Sequence, residues 1–180
     1  MNKVWVGFTG TRQGMTEKQA EAFEILLKRW LDGHTTIIFT HGDCVGADKD
    51  AHELAMKYGD ISIEKRPCDL ENYRAHCVGG TVVAEPKSPL DRNKDIVNES
   101  DILVACPGEY TEQLRSGTWS TLRYAKKQNH LCFTIYPNGT IETFFDGKII
   151  KTDSLPLETC CENENRSMQG GCLNCGDPCL

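Results

Sequence analysis

The sequence predicts a three-layer α/β fold, a mostly parallel sheet with helices on both faces, closed by a β-hairpin and followed by a cysteine-rich tail. Three observations predict it. Short apolar runs at 3–9, 35–40, 61–65, 102–106 and 131–136 alternate with helical segments, the order that builds parallel strands from successive crossovers. These runs are apolar almost throughout, as strands covered on both faces must be. Residues 140–145 and 148–152 then flank Asp146 and Gly147, a hairpin-turn pair.

Each element has its own justification. After the first strand and a loop of Gly10, Thr11, Arg12, Gln13 and Gly14, Thr16 and Gln19 form a capping box. Phe23, Leu26, Leu27, Trp30 and Leu31 follow at helical spacing, and Gly33 marks the stop. The second strand feeds a glycine loop, 41–46, and a helix opening at Ala47 and Asp48, with Ala51, Leu54, Ala55 and Tyr58 on its core stripe and Gly59 as its stop. After the strand 61–65, residues 67–89 lie among prolines and glycines, with a helical turn or two in 70–77 and an extended piece at 81–84. So long a connection inside a domain reads as a flap over a site. A helix at 90–100 leads to the strand 102–106, which Pro107 and Gly108 end. The polar loop 109–116 precedes a helix that begins at Gly117 and Thr118 and runs to about residue 129. Periodicity vanishes after Thr152, dividing a ligand domain, 1–152, from a tail, 153–180.

Composition narrows the function. With 20 basic and 26 acidic side chains and a net charge of -6, the chain lacks the basic footprint of a nucleic-acid binder. Met1, Asn2 and Lys3 run straight into a strand with no apolar leader, and no window reaches membrane-spanning length, so a cytoplasmic protein with no membrane partner is expected. In that setting Cys44, Cys68, Cys77, Cys106 and Cys132 read as small buried or loop residues rather than disulfide partners.

In a parallel sheet, ligands sit outside the carboxyl ends of the strands, where neighbouring loops diverge. Three loops lie at such ends: 10–14, 42–48 and 107–118. At 42–48 a strand feeds a helix N-terminus, which aims backbone N–H groups and a positive dipole end at one spot, and Gly42 and Gly46 let an anion approach. Phosphate is the guest this suggests; a tight turn in which the glycines serve geometry alone is the other reading. Together the loops offer hydroxyls at Thr9, Thr11, Ser116 and Thr118 and the cation Arg12, a set suited to a phosphorylated sugar. Gly7, Gly10 and Gly14 are spaced wrongly for the dinucleotide fingerprint.

Several of these residues carry a resemblance. The first strand with Gly10, Thr11 and Arg12, then Gly42, Asp43, Gly46, Ala47 and Asp48, then Arg92 and Asn93 ahead of Ser100 and Asp101, then Pro107 and Gly108, then Gly117 and Thr118, resemble the SLOG superfamily of Rossmann-like proteins over residues 3–137. That superfamily includes the lonely-guy phosphoribohydrolases, the DNA-processing protein DprA and ligand-sensing domains of immune systems. The resemblance implies a nucleotide or ADP-ribose-like ligand, sites near subunit contacts and hence a homo-oligomer, and no cofactor at the main site. It implies catalytic roles for an arginine, matched by Arg92, and for a glutamate just after the Gly-Thr pair. Here Trp119, Ser120 and Thr121 follow that pair, and the insertion 109–116 interrupts the usual double glycine.

An N-glycosidic bond breaks through an oxocarbenium-like state that needs a carboxylate beneath it, so substitute acids matter. Asp43 reads as an acceptor for ribose hydroxyls or a catalytic acid, Asp48 as a site acid or a first-turn acid favoured by the helix dipole, and Glu109 and Glu112 as solvated loop acids or as acids that a flexible loop carries into the site. Cys44 reads as a nucleophile lowered by a helix N-terminus or, more simply, as a loop cysteine. Trp119 reads as a base-stacking ring or as a core residue with Leu122. In the tail, Cys160, Cys161, Cys172, Cys175 and Cys179 supply enough thiolates for a structural zinc, with a redox-active or disordered tail as the alternative.

The expected function is binding of a nucleotide-derived small molecule, a nucleoside phosphate, ADP-ribose-like compound or signalling nucleotide, at the strand ends. An N-glycosidic hydrolase acting on such compounds is the alternative. A DprA-like single-strand binder is disfavoured by the acidic balance.

Overall fold

Apolar strands that alternate with amphipathic helices can bury both sheet faces only by sending helices to either side. The computed structural model, which describes residues 3–32 and 36–152, does this. The order is β1 (Lys3–Gly10), α1 (Glu17–Asp32), β2 (Thr36–His41), α2 (Ala47–Ala55), β3 (Ile61–Lys65), a 3-10 turn (Glu71–Tyr73), β4 (Val82–Val83), α3 (Pro89–Asn98), β5 (Ile102–Cys106), α4 (Gly117–Lys127), β6 (Leu131–Ile135), β7 (Ile141–Phe145) and β8 (Lys148–Thr152). Among the described residues these strands form one sheet in the order β4-β3-β2-β1-β5-β6-β7-β8. The pairs from β4 to β6 are parallel; β7 and β8 add an antiparallel hairpin at one edge.

Alternation along the strands divides the core. Val6, Phe8, Ile37, Phe39, Ile63 and Val104 pack with Phe23, Leu27 and Ala51 of α1 and α2. Leu103, Ala105 and Cys132 face the other way, onto Ile96 and Val97 of α3 and Trp119, Leu122 and Ala125 of α4. The capping box forms: Gln19 N donates to Thr16 Oγ1 at 3.1 Å, and Thr16 N to Gln19 Oε1 at 3.0 Å. Gln19 is fully buried and its Nε2 donates to Pro107 O and Ile135 O, so the α1 cap also ties down the ends of β5 and β6. The second helix ends at Ala55, short of the expected Tyr58, because the chain tightens there: Lys57 N donates to Leu54 O and Tyr58 N to Ala55 O. The tail and the zinc expected of Cys160, Cys161, Cys172, Cys175 and Cys179 lie outside the described residues. Among the described residues no helix is long and apolar enough to cross a membrane.

Candidate functional site

β1 and β5 are neighbours, yet the chain leaves them toward opposite sides: β2, β3 and β4 lie beyond β1, and β6 beyond β5. Their following loops therefore separate, which opens a crevice at the carboxyl ends. A cleft of about 1090 Å³ occupies it. From the first loop come Gly10, Thr11 and Arg12; from the second, Cys44 and Asp48; from α3, Arg92 and Asn93; and from the loop and start of α4, Glu109, Glu112, Ser116, Gly117 and Thr118. Three separate strand ends thus converge on one space.

The glycine loop after β2 is in the wall of this cleft, but most of its amides are already engaged within the protein. Gly42 N and Cys44 N donate to Asp48 Oδ2 at 2.9 and 3.3 Å, Asp43 N to His41 Nδ1, Val45 N to Tyr73 O and Ala47 N to Thr11 O. The Asp48 carboxylate thus caps this loop from within the protein. Gly46, at φ 88, lies where a Cβ would stand 2.7 Å from Arg12 Cα and closer still to the Arg12 carbonyl. Of the two readings of this stretch, this internal hydrogen bonding accords with the tight turn.

The first turn of α4 carries no acid, in contrast to Asp48 and Asp50 on α2, and Gly117 has open space where a side chain would be. Ser116 caps the helix, with its Oγ accepting from Trp119 N at 3.5 Å. Across the cleft stands Arg92, only 7% exposed. Nη2 donates to Cys44 Sγ at 3.2 Å, Nη1 is 3.7 Å from Asp48 Oδ2, and Nε is buried with no partner. Arg92 lines the cleft, and its guanidinium has one carboxylate partner, at the long distance of 3.7 Å. Burial raises the Asp48 carboxyl to about 6 against the opposing pull of Arg92 and the loop amides. Burial and the charge of Asp48 push the Cys44 thiol up to about 11, opposite to a nucleophile.

Asp43 lies outside the cleft lining. At φ 53 the backbone turns its carboxylate away, to accept from Cys77 N at 2.8 Å and to pair with Arg74 at 3.3 Å. Burial opposes its ionisation, but these hydrogen bonds prevail and its carboxyl lies below the ordinary value. It anchors the 73–77 segment. A second anchor is a hydrogen-bond relay. His41 Nδ1 accepts from Asp43 N, so its Nε2 carries the proton and donates to His52 Nδ1 at 3.0 Å; His52 Nε2 then donates to Val78 O at 2.8 Å. Burial, followed by the neighbouring His52, pushes His41 down to about 3.

Trp119 is buried against α3 and β5, and its indole Nε1 donates to Glu109 Oε2 at 3.1 Å. It is therefore a core residue that holds the Glu109 carboxylate in the cleft wall. Glu112 pairs with Arg123 at 2.8 Å. Gly42, Gly46, Ala47, Pro107 and Gly108 are not among the lining residues. A residue not singled out from the sequence enters the site: Tyr73, from the 3-10 turn after β3, has Arg12 Cζ 4.4 Å over its ring. Its only sequence signal is an aromatic ring in a long connection. Among the described residues no group of His, Cys, Asp and Glu is arranged to hold a metal.

No family model matches the chain, and no curated protein matches it. Among solved structures it is similar to the molybdenum cofactor binding protein from the phototrophic bacterium Rippkaea orientalis, with a TM-score of 0.57 at 19% identity over 76% of this chain and 78% of that one. It is similar also to TM1055, a structural genomics target, with a TM-score of 0.52 at 14% identity over 73% and 72%. At these identities the likeness is one of fold. The chain is a Rossmann-like α/β domain.

Proposed function

We propose that the protein binds a nucleotide-derived, phosphorylated small molecule in the cleft at the ends of β1 and β5, in the manner of a SLOG-type ligand domain. The observation that carries this reading is that the cation Arg92 and the acid-free N-terminus of α4 line one cleft. Both attract anions, and Ser116 and Thr118 add hydroxyls suited to a sugar or phosphate. That one fold neighbour is a molybdenum cofactor binding protein accords with a binding role. Titration calorimetry with nucleoside monophosphates, NAD and ADP-ribose tests it: Arg92→Met should weaken binding by about tenfold or more. Equal affinity in Arg92→Met and wild type would sink the proposal. Assembly as a homo-oligomer accompanies this reading, and sedimentation velocity checks it.

One observation favours a second reading, N-glycosidic hydrolysis. The Trp119 indole fixes Glu109 in the cleft that holds Arg92, supplying a carboxylate that the Gly117 and Thr118 turn does not. In this reading Glu109 stabilises the oxocarbenium-like state while Arg92 holds the phosphate. Chromatography of released base after incubation separates the readings: turnover lost in Glu109→Gln supports hydrolysis, and binding without release supports the sensor.

A further inference from the structure

We infer that Arg12 and Tyr73 together form the platform that selects a planar heterocyclic base, so that the ligand is a nucleotide and not merely a sugar phosphate; this deepens the reading above and rests on it. Tyr73 supplies the one aromatic ring in the cleft lining among the described residues. Trp119, the aromatic suggested by the sequence, is 5% exposed and committed to Glu109, and Tyr110 stacks on Tyr136 outside the lining.

The geometry of the pair is that of a prepared stack. The Arg12 guanidinium carbon sits 4.4 Å from the Tyr73 ring centroid, so one face of the cation is spent on tyrosine. Arg12 is exposed and makes no ion pair among the described residues, so its other face and its N–H edge are open to the cleft. A base lying on that outer face completes a ring, guanidinium, ring sandwich, and the N–H edge can donate to base nitrogen or oxygen acceptors.

Both partners are held by the same loop. Val45 N donates to Tyr73 O at 2.9 Å, Ala47 N donates to Thr11 O at 2.9 Å, and Gly46 presses on the Arg12 backbone. Preorganising both halves lowers the entropy lost when a base stacks. The dense hydrogen bonding of residues 42–47 thus gains a purpose: the loop fixes the platform instead of gripping phosphate.

The test compares AMP with ribose 5-phosphate by calorimetry on the full chain. Wild type should prefer AMP by about tenfold or more, a stacking-sized factor. Tyr73→Leu should bring the two ligands within about twofold by weakening AMP alone. Tyr73→Phe, which keeps the ring, should retain the preference, and circular dichroism of both variants verifies the fold. If wild type binds both ligands equally, or Tyr73→Leu weakens both alike, the platform is refuted while the anion site stands, Arg12 then being a phosphate ligand. If wild type binds neither, both readings fail.

Discussion

Gly42→Ala tests the position of Arg92 without altering any charge. The added Cβ would overlap Arg92 Nη1 and stand 2.7 Å from Asp48 Oδ2, at a backbone conformation any residue can adopt. Restoring ordinary contact requires the guanidinium to move by about 2 Å, since non-bonded heavy atoms prefer about 3.5–4 Å. A shift of that size breaks the 3.2 Å contact with Cys44 and takes the N–H donors out of register with a bound anion. A charge-assisted hydrogen bond contributes about 1.5–3 kcal/mol, so affinity for AMP should fall roughly 10- to 150-fold. Gly59→Ala, where a Cβ meets nothing within 4 Å, is the control and should bind as wild type. Calorimetry reads the affinities and thermal melting confirms that each variant is folded. A folded Gly42→Ala protein that binds AMP within twofold of wild type would refute the assignment of Arg92 as the anion ligand.

Other expectations concern the frame around the cleft. Gln19→Leu leaves Pro107 O and Ile135 O without their buried donor and breaks the cap of α1, and should cost about 2–4 kcal/mol in urea unfolding; a loss below about 0.5 kcal/mol would contradict the bridging role. Trp119→Phe keeps the ring in its pocket but frees Glu109, and should lower stability by about 1 kcal/mol in the same assay while Glu109→Gln on that background adds little. The pH dependence of stability should show two opposing slopes. His41 lies below its unfolded value, so its contribution is lost as pH falls from about 6.5 toward 3, whereas Asp48 lies above its own, so acidification from about 6 toward 4 adds stability. Asp48→Asn removes the second slope, and its unfolding free energy should drop more steeply between pH 6 and 4 than that of wild type, by up to about 1.4 kcal/mol per pH unit; parallel curves would rule out the raised Asp48 carboxyl.

The order of strands and helices along the chain, the capping box at Thr16 and Gln19, the hairpin at Asp146 and Gly147 and the gathering of the strand-end loops 10–14, 42–48 and 107–118 around one cleft were legible in the sequence. Each follows from period, caps and turn chemistry, which act over a few neighbouring residues. Tertiary structure alone decided where the amides of the glycine loop go, because Asp48, Tyr73 and Thr11 compete for them through space. It decided likewise that Asp43 turns to Cys77, that Trp119 serves Glu109, and that Tyr73 in the connection after β3 meets Arg12. A donor or a ring finds its partner by proximity after the chain has packed, and pairs such as Arg12 with Tyr73 have no spacing that a linear pattern could encode.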